Sequence, residues 1–266
     1  IQQINEFSNN PDVIGIYDLE YHSTDFEKTR IPKTWTAHAE NMAPHRFIKN
    51  LHKSSKEASH GIFHGSNRTS GRWYNSLALN LFQDDAHLSI DLEKNYQSFS
   101  LSFWFMQNGR LKKPLNSLVR PYRWEKFGNL SIEISRSGKI SQFLWGETDL
   151  SPIKSSNSKI KEGWNHLVYT FGKKGKQLSS KVYLNADLVS EAIPKWTQFI
   201  SLGNMIIGSS KNPQGQYLNG FRSVLDELIV WKKTLSENEI QEQYLNGLPL
   251  YDLSDQEIQI LANKNG

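Results

Sequence analysis

GFRSVLDELIVWKKTLSENEIQEQYLNG, from Gly220 to Gly247, changes periodicity within one short segment. Leu225 to Trp231 is rich in branched and aromatic residues and reads as a strand, though with imperfect alternation. Ser236 and Glu239 are spaced as a capping box, in which each side chain accepts the backbone N–H at the other's position, and Leu235 and Ile240 occupy the staple positions. The spacing starts a helix at Ser236. Gly247 is expected to stop it in the left-handed conformation that a residue without a Cβ adopts most easily.

Toward the N-terminus, strand signals recur from Leu77 onward with turn residues between them and no intervening helical pattern. That order favours an antiparallel sandwich over βαβ units. Phe99, Leu101, Phe103 and Phe105 alternate with Ser98, Ser100, Ser102 and Trp104, so one face enters a core and the other is mostly polar. Leu130, Ile132 and Ile134 lead through a Ser137-Gly138 turn to Ile140–Trp145, a hairpin. Trp164 to Phe171, Lys181 to Val189 with an Asn185-Ala186-Asp187 turn, and Met205 to Gly208 supply further strands. Lys173, Lys174 and Lys176, beside Gly172 and Gly175, read as an exposed hairpin loop. Asp226 and Glu227 are adjacent, and a regular strand would point them to opposite faces.

Val13 to Leu19 is the one strand signal ahead of the polar, His-rich stretch 21–59, and it is expected to lie beside Leu225 to Trp231. Residues 21–59, with Pro32, Pro44 and several isolated aromatics, read as a loop-rich elaboration with a short helix around Arg46 to Ser54. Ser254 and Glu257, with Leu253 and Ile258, repeat the capping box and staple, giving a second short helix at about 254–263. The whole reads as an all-β, two-sheet antiparallel jelly-roll sandwich with short peripheral helices, one domain over 1–266 with its core at about 12–247.

Composition narrows the function classes. There is no cysteine, which removes disulfides, thiolate metal sites and cysteine nucleophiles. The formal net charge of +4 comes from basic residues scattered among acidic ones, so no nucleic-acid partner is expected. No stretch reaches the about 20 consecutive apolar residues that cross a bilayer. Ile1 in first place reads as a processed or excised piece, leaving open a membrane-anchored parent chain.

Read in order, DVIGIYDLE from Asp12, HGIFHGSNRTSGRW from His60, SLALNL from Ser76, SFSLSFWF from Ser98, GWNHLVYTF from Gly163, VYLNADLV from Val182 and the closing segment resemble a bacterial laminin-G-like domain of the concanavalin A-like type. The likeness extends to the C-terminal, extracytoplasmic domains of FecR-related proteins. It implies a jelly roll, a binding or sensing role, and a periplasmic or extracellular location. This chain departs from the family's pattern at Asn185-Ala186-Asp187, where a Gly is usual, and at Tyr122-Arg123-Trp124, where Asp-Gly-Trp is frequent.

Catalysis on such a fold would resemble Glu-x-Asp-x-x-Glu, with carboxylates about 5 Å apart in retaining enzymes. The nearest match, Ser89-Ile90-Asp91-Leu92-Glu93, has Ser where the nucleophile belongs. The chain is therefore read as a lectin-like, non-catalytic module, with a glycoside hydrolase-like enzyme or a structural adhesion and protein-interaction domain as alternatives. Histidines at 22, 38, 45, 52, 60 and 64 are read as surface or hydrogen-bonded residues. Calcium is the metal considered, at Asp84 and Asp85 in a loop. For an oligosaccharide, Arg120, Tyr122, Arg123, Trp124, Trp145 and Trp196 supply flat faces and hydrogen-bond donors near the loops. A protein ligand is the other partner considered.

Overall fold

The computed structural model describes residues 7–19, 47–48, 50–52, 61–65, 67–73, 76–92, 95–107, 111, 113–121, 128–144, 154–155, 158–174, 177–195, 197–203, 205–211, 216–218 and 220–249. They form the expected two-sheet antiparallel sandwich. One sheet has nine strands, in the order Lys154–Ser155, Asp187–Ala192, Gln177–Leu184, Gly163–Lys174, Phe99–Gln107, Val224–Trp231, Leu77–Asn80 and Asn67–Ser70, with Val13–Tyr17 also paired to Val224–Trp231. The other has seven, in the order Ile140–Leu144, Leu130–Ser135, Leu115–Pro121, Met205–Ile207, His87–Ile90, Gly61–His64 and Phe47–Ile48. The first strand lies beside the last, with Val13 opposite Trp231 and Tyr17 opposite Leu228. Between the sheets, Phe99, Leu101, Phe103 and Phe105 meet Ile132, Ile134, Leu88 and Ile207 in one core.

The other face of the Phe99–Gln107 strand departs from expectation. Ser100, Ser102 and Trp104 are all buried. The cause is the helix Glu237–Gly247, which lies over this outer face and stacks Tyr244 on Trp104, ring centroids 5.9 Å apart. Its start is as read: Glu239 N–H donates to Ser236 Oγ at 3.3 Å and Ser236 N–H to Glu239 Oε2 at 2.8 Å, while Leu235 and Ile240 pack with Trp231. Ser100 Oγ accepts the N–H of Leu235 at 2.9 Å and donates to the carbonyl of Lys233 at 2.8 Å. A polar face on the sheet thus becomes the seat of the helix entry.

Three local expectations are corrected. Gly247 lies inside the last helical turn, and the C-cap Leu248 is extended at φ −71°. A Cβ on Gly247 would stand 2.5 Å from Trp104 Cζ2 and 2.7 Å from Arg72 Nη1, so close approach, not a left-handed stop, requires the glycine. Phe47–Ile48 is a strand paired to Gly61–Ile62, in place of the helix expected around Arg46 to Ser54, because Ile48 turns into the core. Asn50 follows, donating to the Ile14 carbonyl and accepting from Ile16 N–H, both at 3.0 Å. The Val224–Trp231 strand is not regular: Asp226 faces Trp104 and Ile229 faces Ser102, so an extra residue bulges out, with Glu227 at φ +40°. The second capping box and the helix at 254–263, together with most of 21–59, lie outside the described residues.

Candidate functional site

The seven-stranded sheet brings several sequence-predicted segments to one of its ends. The Leu115–Pro121 strand ends at Pro121, opposite Met205, with Arg120 opposite Ile206. Leu130 and Leu144 face each other at the same end, where the neighbouring hairpin strands begin and finish. Pro121, Gly128 and Leu144, the described residues on either side of 122–127 and just before 145, therefore share this end. Gly128 packs beside Phe199, where a Cβ would come 2.7 Å from Phe199 Cε2, and its φ of +81° suits glycine. Ser201 N–H donates to the Gly128 carbonyl at 2.9 Å, tying the two segments together.

Of the predicted ligand residues, Arg120 is described, and Tyr122, Arg123, Trp124, Trp145 and Trp196 lie outside the described residues. Arg120 Nη1 donates to Glu133 Oε1 at 3.1 Å on the face of the sheet turned from the core, with side-chain exposures of 20% and 8%. Glu133 was not anticipated. Its signal was its place between the core residues Ile132 and Ile134, which fixes it on the opposite face.

The calcium pair is engaged in other ways. Asp84 Oδ1 lies 3.1 Å from Arg222 Nε and 3.4 Å from Lys113 Nζ, and the hydrogen bond from Arg222 leads in holding its carboxyl below the usual carboxylate range. The Asp85 carboxylate lies over Gly65, where an added Cβ would be 2.8 Å from its Oδ1. Two cations on Asp84 compete for the oxygens that a calcium ion would need. Among the described residues no three His, Cys, Asp or Glu gather around a metal position. Of the early histidines, His64 stacks on His87 with centroids 4.5 Å apart, and His52 Nε2 lies 3.1 Å from the Asn10 carbonyl.

A second polar cluster sits beneath the helix, and sequence reasoning missed it. The bulge turns both Asp226 and Glu227 toward Arg72: Arg72 N–H donates to Asp226 Oδ2 at 3.0 Å, and its guanidinium pairs with Glu227. Arg72 also stacks on Trp104 and Trp73, its Cζ 4.2 and 4.8 Å from their centroids. Burial, then the neighbouring Glu227 charge, holds the Asp226 carboxyl well above the usual carboxylate range. A raised acid beside a second carboxylate has the chemistry of a general acid. Arg72, Asp226 and His166 are buried, and the Glu227 side chain keeps 12% of its surface exposed.

The sequence model of the concanavalin A-like lectin/glucanases superfamily, laminin-G type 3, matches residues 82–241, more than half of the chain. No curated protein matches it. Among solved structures, Trypanosoma rangeli sialidase in complex with sialic acid is similar with a TM-score of 0.57 at 13% identity, over 89% of this chain and 33% of that one. Botulinum neurotoxin type C, which enters cells in dependence on two ganglioside molecules, is similar with a TM-score of 0.55 at 14% identity, over 76% and 49%. The chain thus spans about a third of the sialidase and about half of the toxin chain, and likeness at these identities shows the fold alone.

Proposed function

We propose, from the premise that the chain belongs to the concanavalin A-like lectin/glucanase superfamily, that it is a non-catalytic module that binds oligosaccharide. The observation that carries this reading is that Pro121, Gly128 and Leu144, which flank 122–127 and precede Trp145, meet at one end of the seven-stranded sheet beside Arg120. The sequence between and after them holds Trp124 and Trp145, with Trp196 as a further candidate, and aromatic faces beside hydrogen-bond donors suit the apolar face and hydroxyls of a sugar. Sugar ligands of the sialidase and the neurotoxin support the ligand class. A non-catalytic role is supported by the burial of Asp226, by the engagement of Glu227 with the Arg72 guanidinium, and by Ser89 in the place of a nucleophile.

A sensing role outside the cytoplasm, as in FecR-related proteins, belongs to the same proposal. Fractionation of cells carrying the full parent chain tests it, and recovery with the cytoplasm would overturn it. The binding role is tested on a glycan array with the intact chain. Trp124→Ala and Trp196→Ala are expected to weaken the bound glycan at least about fivefold, since a lost aromatic contact is worth roughly 1 kcal/mol. An array without a single bound glycan, or binding indifferent to both substitutions, would turn the assignment toward a protein partner. Release of reducing ends from a bound glycan, abolished by one carboxylate substitution, would make the chain an enzyme.

A further inference from the structure

Three large apolar side chains are exposed among the described residues, Phe143, Leu115 and Phe82, at 50%, 43% and 38%. Phe143 pairs with Ser131 on the outer face of the seven-stranded sheet, toward the end where Leu130 meets Leu144. The other two stand at the opposite end of the sandwich. Leu115 pairs with Ser135, at the end of the strand that leads into the Ser137-Gly138 turn, and Phe82 follows the Leu77–Asn80 strand. Lys113, two residues before Leu115, has its Nζ 3.4 Å from Oδ1 of Asp84, two residues after Phe82, so one ion pair ties the two loops together.

The turn beside Leu115 is basic. Arg136 and Lys139 flank Ser137-Gly138, and Arg136 N–H donates to the Pro114 carbonyl at 3.0 Å, which sets Arg136 next to Leu115. Ile160 N–H donates to the Gly138 carbonyl at 3.3 Å, and a Cβ on Gly138 would lie 3.4 Å from that of Lys159, so a third cation reaches the same turn. Arg136, Lys139 and Lys159 are exposed, and among the described residues none of them has a carboxylate within ion-pair distance. The acids of this end lie elsewhere: Asp84 is held by Arg222 and Lys113, Asp85 lies over Gly65 toward the other edge of the sheet, and Glu162 and Asp187 stand on the side of the nine-stranded sheet. Exposed apolar side chains beside cations that no acid of the chain neutralises fit a partner that is anionic at its surface and apolar just beneath. A phospholipid leaflet has both properties, whereas a nucleic acid would supply phosphates but nothing for Leu115 to bury against.

We propose that the hairpin end of the sandwich docks on an anionic phospholipid surface, with Arg136, Lys139 and Lys159 at the headgroup phosphates and Leu115 and Phe82 in the interface. Docked in this way, the domain turns Arg120 and the opposite end of the seven-stranded sheet away from the lipid. The docking stands independently of what binds at that far end. The test is co-sedimentation of the intact chain with vesicles of phosphatidylcholine alone and of phosphatidylcholine mixed with phosphatidylglycerol, each variant's urea midpoint being matched to the parent. Partitioning onto the anionic vesicles is expected to exceed that onto phosphatidylcholine at least about tenfold and to fall as salt is raised. Arg136→Ala, Lys139→Ala and Lys159→Ala should each lower it about fivefold, whereas Arg136→Lys and Lys139→Arg, which keep the charge, should match the parent. Leu115→Ser should weaken it several-fold at low and high salt alike. Lys173→Ala and Lys232→Ala remove exposed cations from the far end of the strands and should change nothing. Loss in these two equal to that at the turn would mean that net charge alone acts, and would overturn the docking surface. It is overturned equally by anionic vesicles that leave the parent chain in solution, by binding indifferent to Leu115→Ser, and by displacement of bound chain by a thymidine oligonucleotide that itself binds more tightly than the vesicles.

Discussion

Arg72 Nη1 donates to the carbonyl of Gly247 across 2.6 Å, joining the approach to the Leu77–Asn80 strand to the last turn of a helix 175 residues later. The bond occupies a carbonyl that the helix end leaves without an intrahelical partner, and it sets a cation at the negative end of the helix dipole. The last helical turn contains no basic residue of its own, so the charge comes from another part of the chain. Its counter-charge comes from the bulge, where the Val224–Trp231 strand exchanges its neighbour Leu77–Asn80 for Val13–Tyr17. One buried guanidinium therefore holds helix, bulge and strand together.

Arg72→Ala is expected to cost about 3–5 kcal/mol, the range for removing one partner of a buried ion pair and leaving the other charge uncompensated. Arg72→Lys should recover less than half of this, because an ammonium cannot serve the Glu227 carboxylate and the Gly247 carbonyl with a planar fork while stacked between two indoles. Urea unfolding followed by tryptophan fluorescence reads both. A cost under about 1 kcal/mol for Arg72→Ala would mean that the packing of Tyr244 and Leu245 holds the helix alone.

Gly247→Ala separates two accounts of the same glycine. If Gly247 only weakened the helix, alanine would stabilise by about 0.5–1 kcal/mol. With 2.5 Å to Trp104 Cζ2 and 2.7 Å to Arg72 Nη1, a methyl group must instead push the helix off its seat. The expected outcome is destabilisation by about 1–3 kcal/mol, the usual cost of overpacking, measured as a lower urea midpoint at unchanged slope.

What was legible in the sequence is what local chemistry dictates. The capping box at Ser236, the Ser137-Gly138 hairpin and the alternation of Phe99 to Phe105 depend on neighbours a few residues away, and each has its expected place. The bulge at Glu227, the strand at Phe47 and the burial of Ser100 and Trp104 depend on partners from 15 to about 150 residues distant, which no local pattern encodes. At the candidate site, Arg120 could be named as a donor near a loop. Its Glu133 partner and the outward Phe143 follow from strand register, which alternation constrains only after pairing is known.

Asn185 and Ala186 have φ of +53° and +68°, both central positions of a two-residue hairpin between Leu184 and Asp187. Asn185 suits its place: its N–H donates to the His166 carbonyl at 2.8 Å, and its Oδ1 accepts His166 N–H at 2.9 Å. Ala186 carries the strain of a Cβ in the left-handed region, so Ala186→Gly should stabilise by about 1 kcal/mol. For a chain of this size that is a rise in Tm of roughly 2–4 °C. Calorimetry checks it, and a fall in Tm would mean that the packing of the Ala186 methyl against the apolar groups around Trp231 and around Trp104 outweighs the backbone strain.

His166 and His87 set the acid limit of the fold. Burial, reinforced by the charge of Arg72, pushes His166 down to about 3 from an ordinary 6.5, and burial with His64 beside it does the same to His87. A depressed folded value means that between about pH 6.5 and 3 the unfolded chain binds protons the folded chain refuses. The contribution of each is complete above 6.5 and lost as pH falls toward 3, at up to about 5 kcal/mol apiece by conversion of the shift. Asp226 works in the other sense: its raised value adds stability at low pH that is lost as pH rises. The two histidines outweigh it, so net stability should drop on acidification. His166→Phe keeps a ring on Trp104, 4.7 Å away in the parent, and removes one of the two titrations. Urea unfolding at pH 7.5, 6, 5 and 4 should show about one proton fewer taken up on unfolding near pH 5 in the variant. An unchanged slope of stability against pH would show that His166 accepts its proton within the folded state.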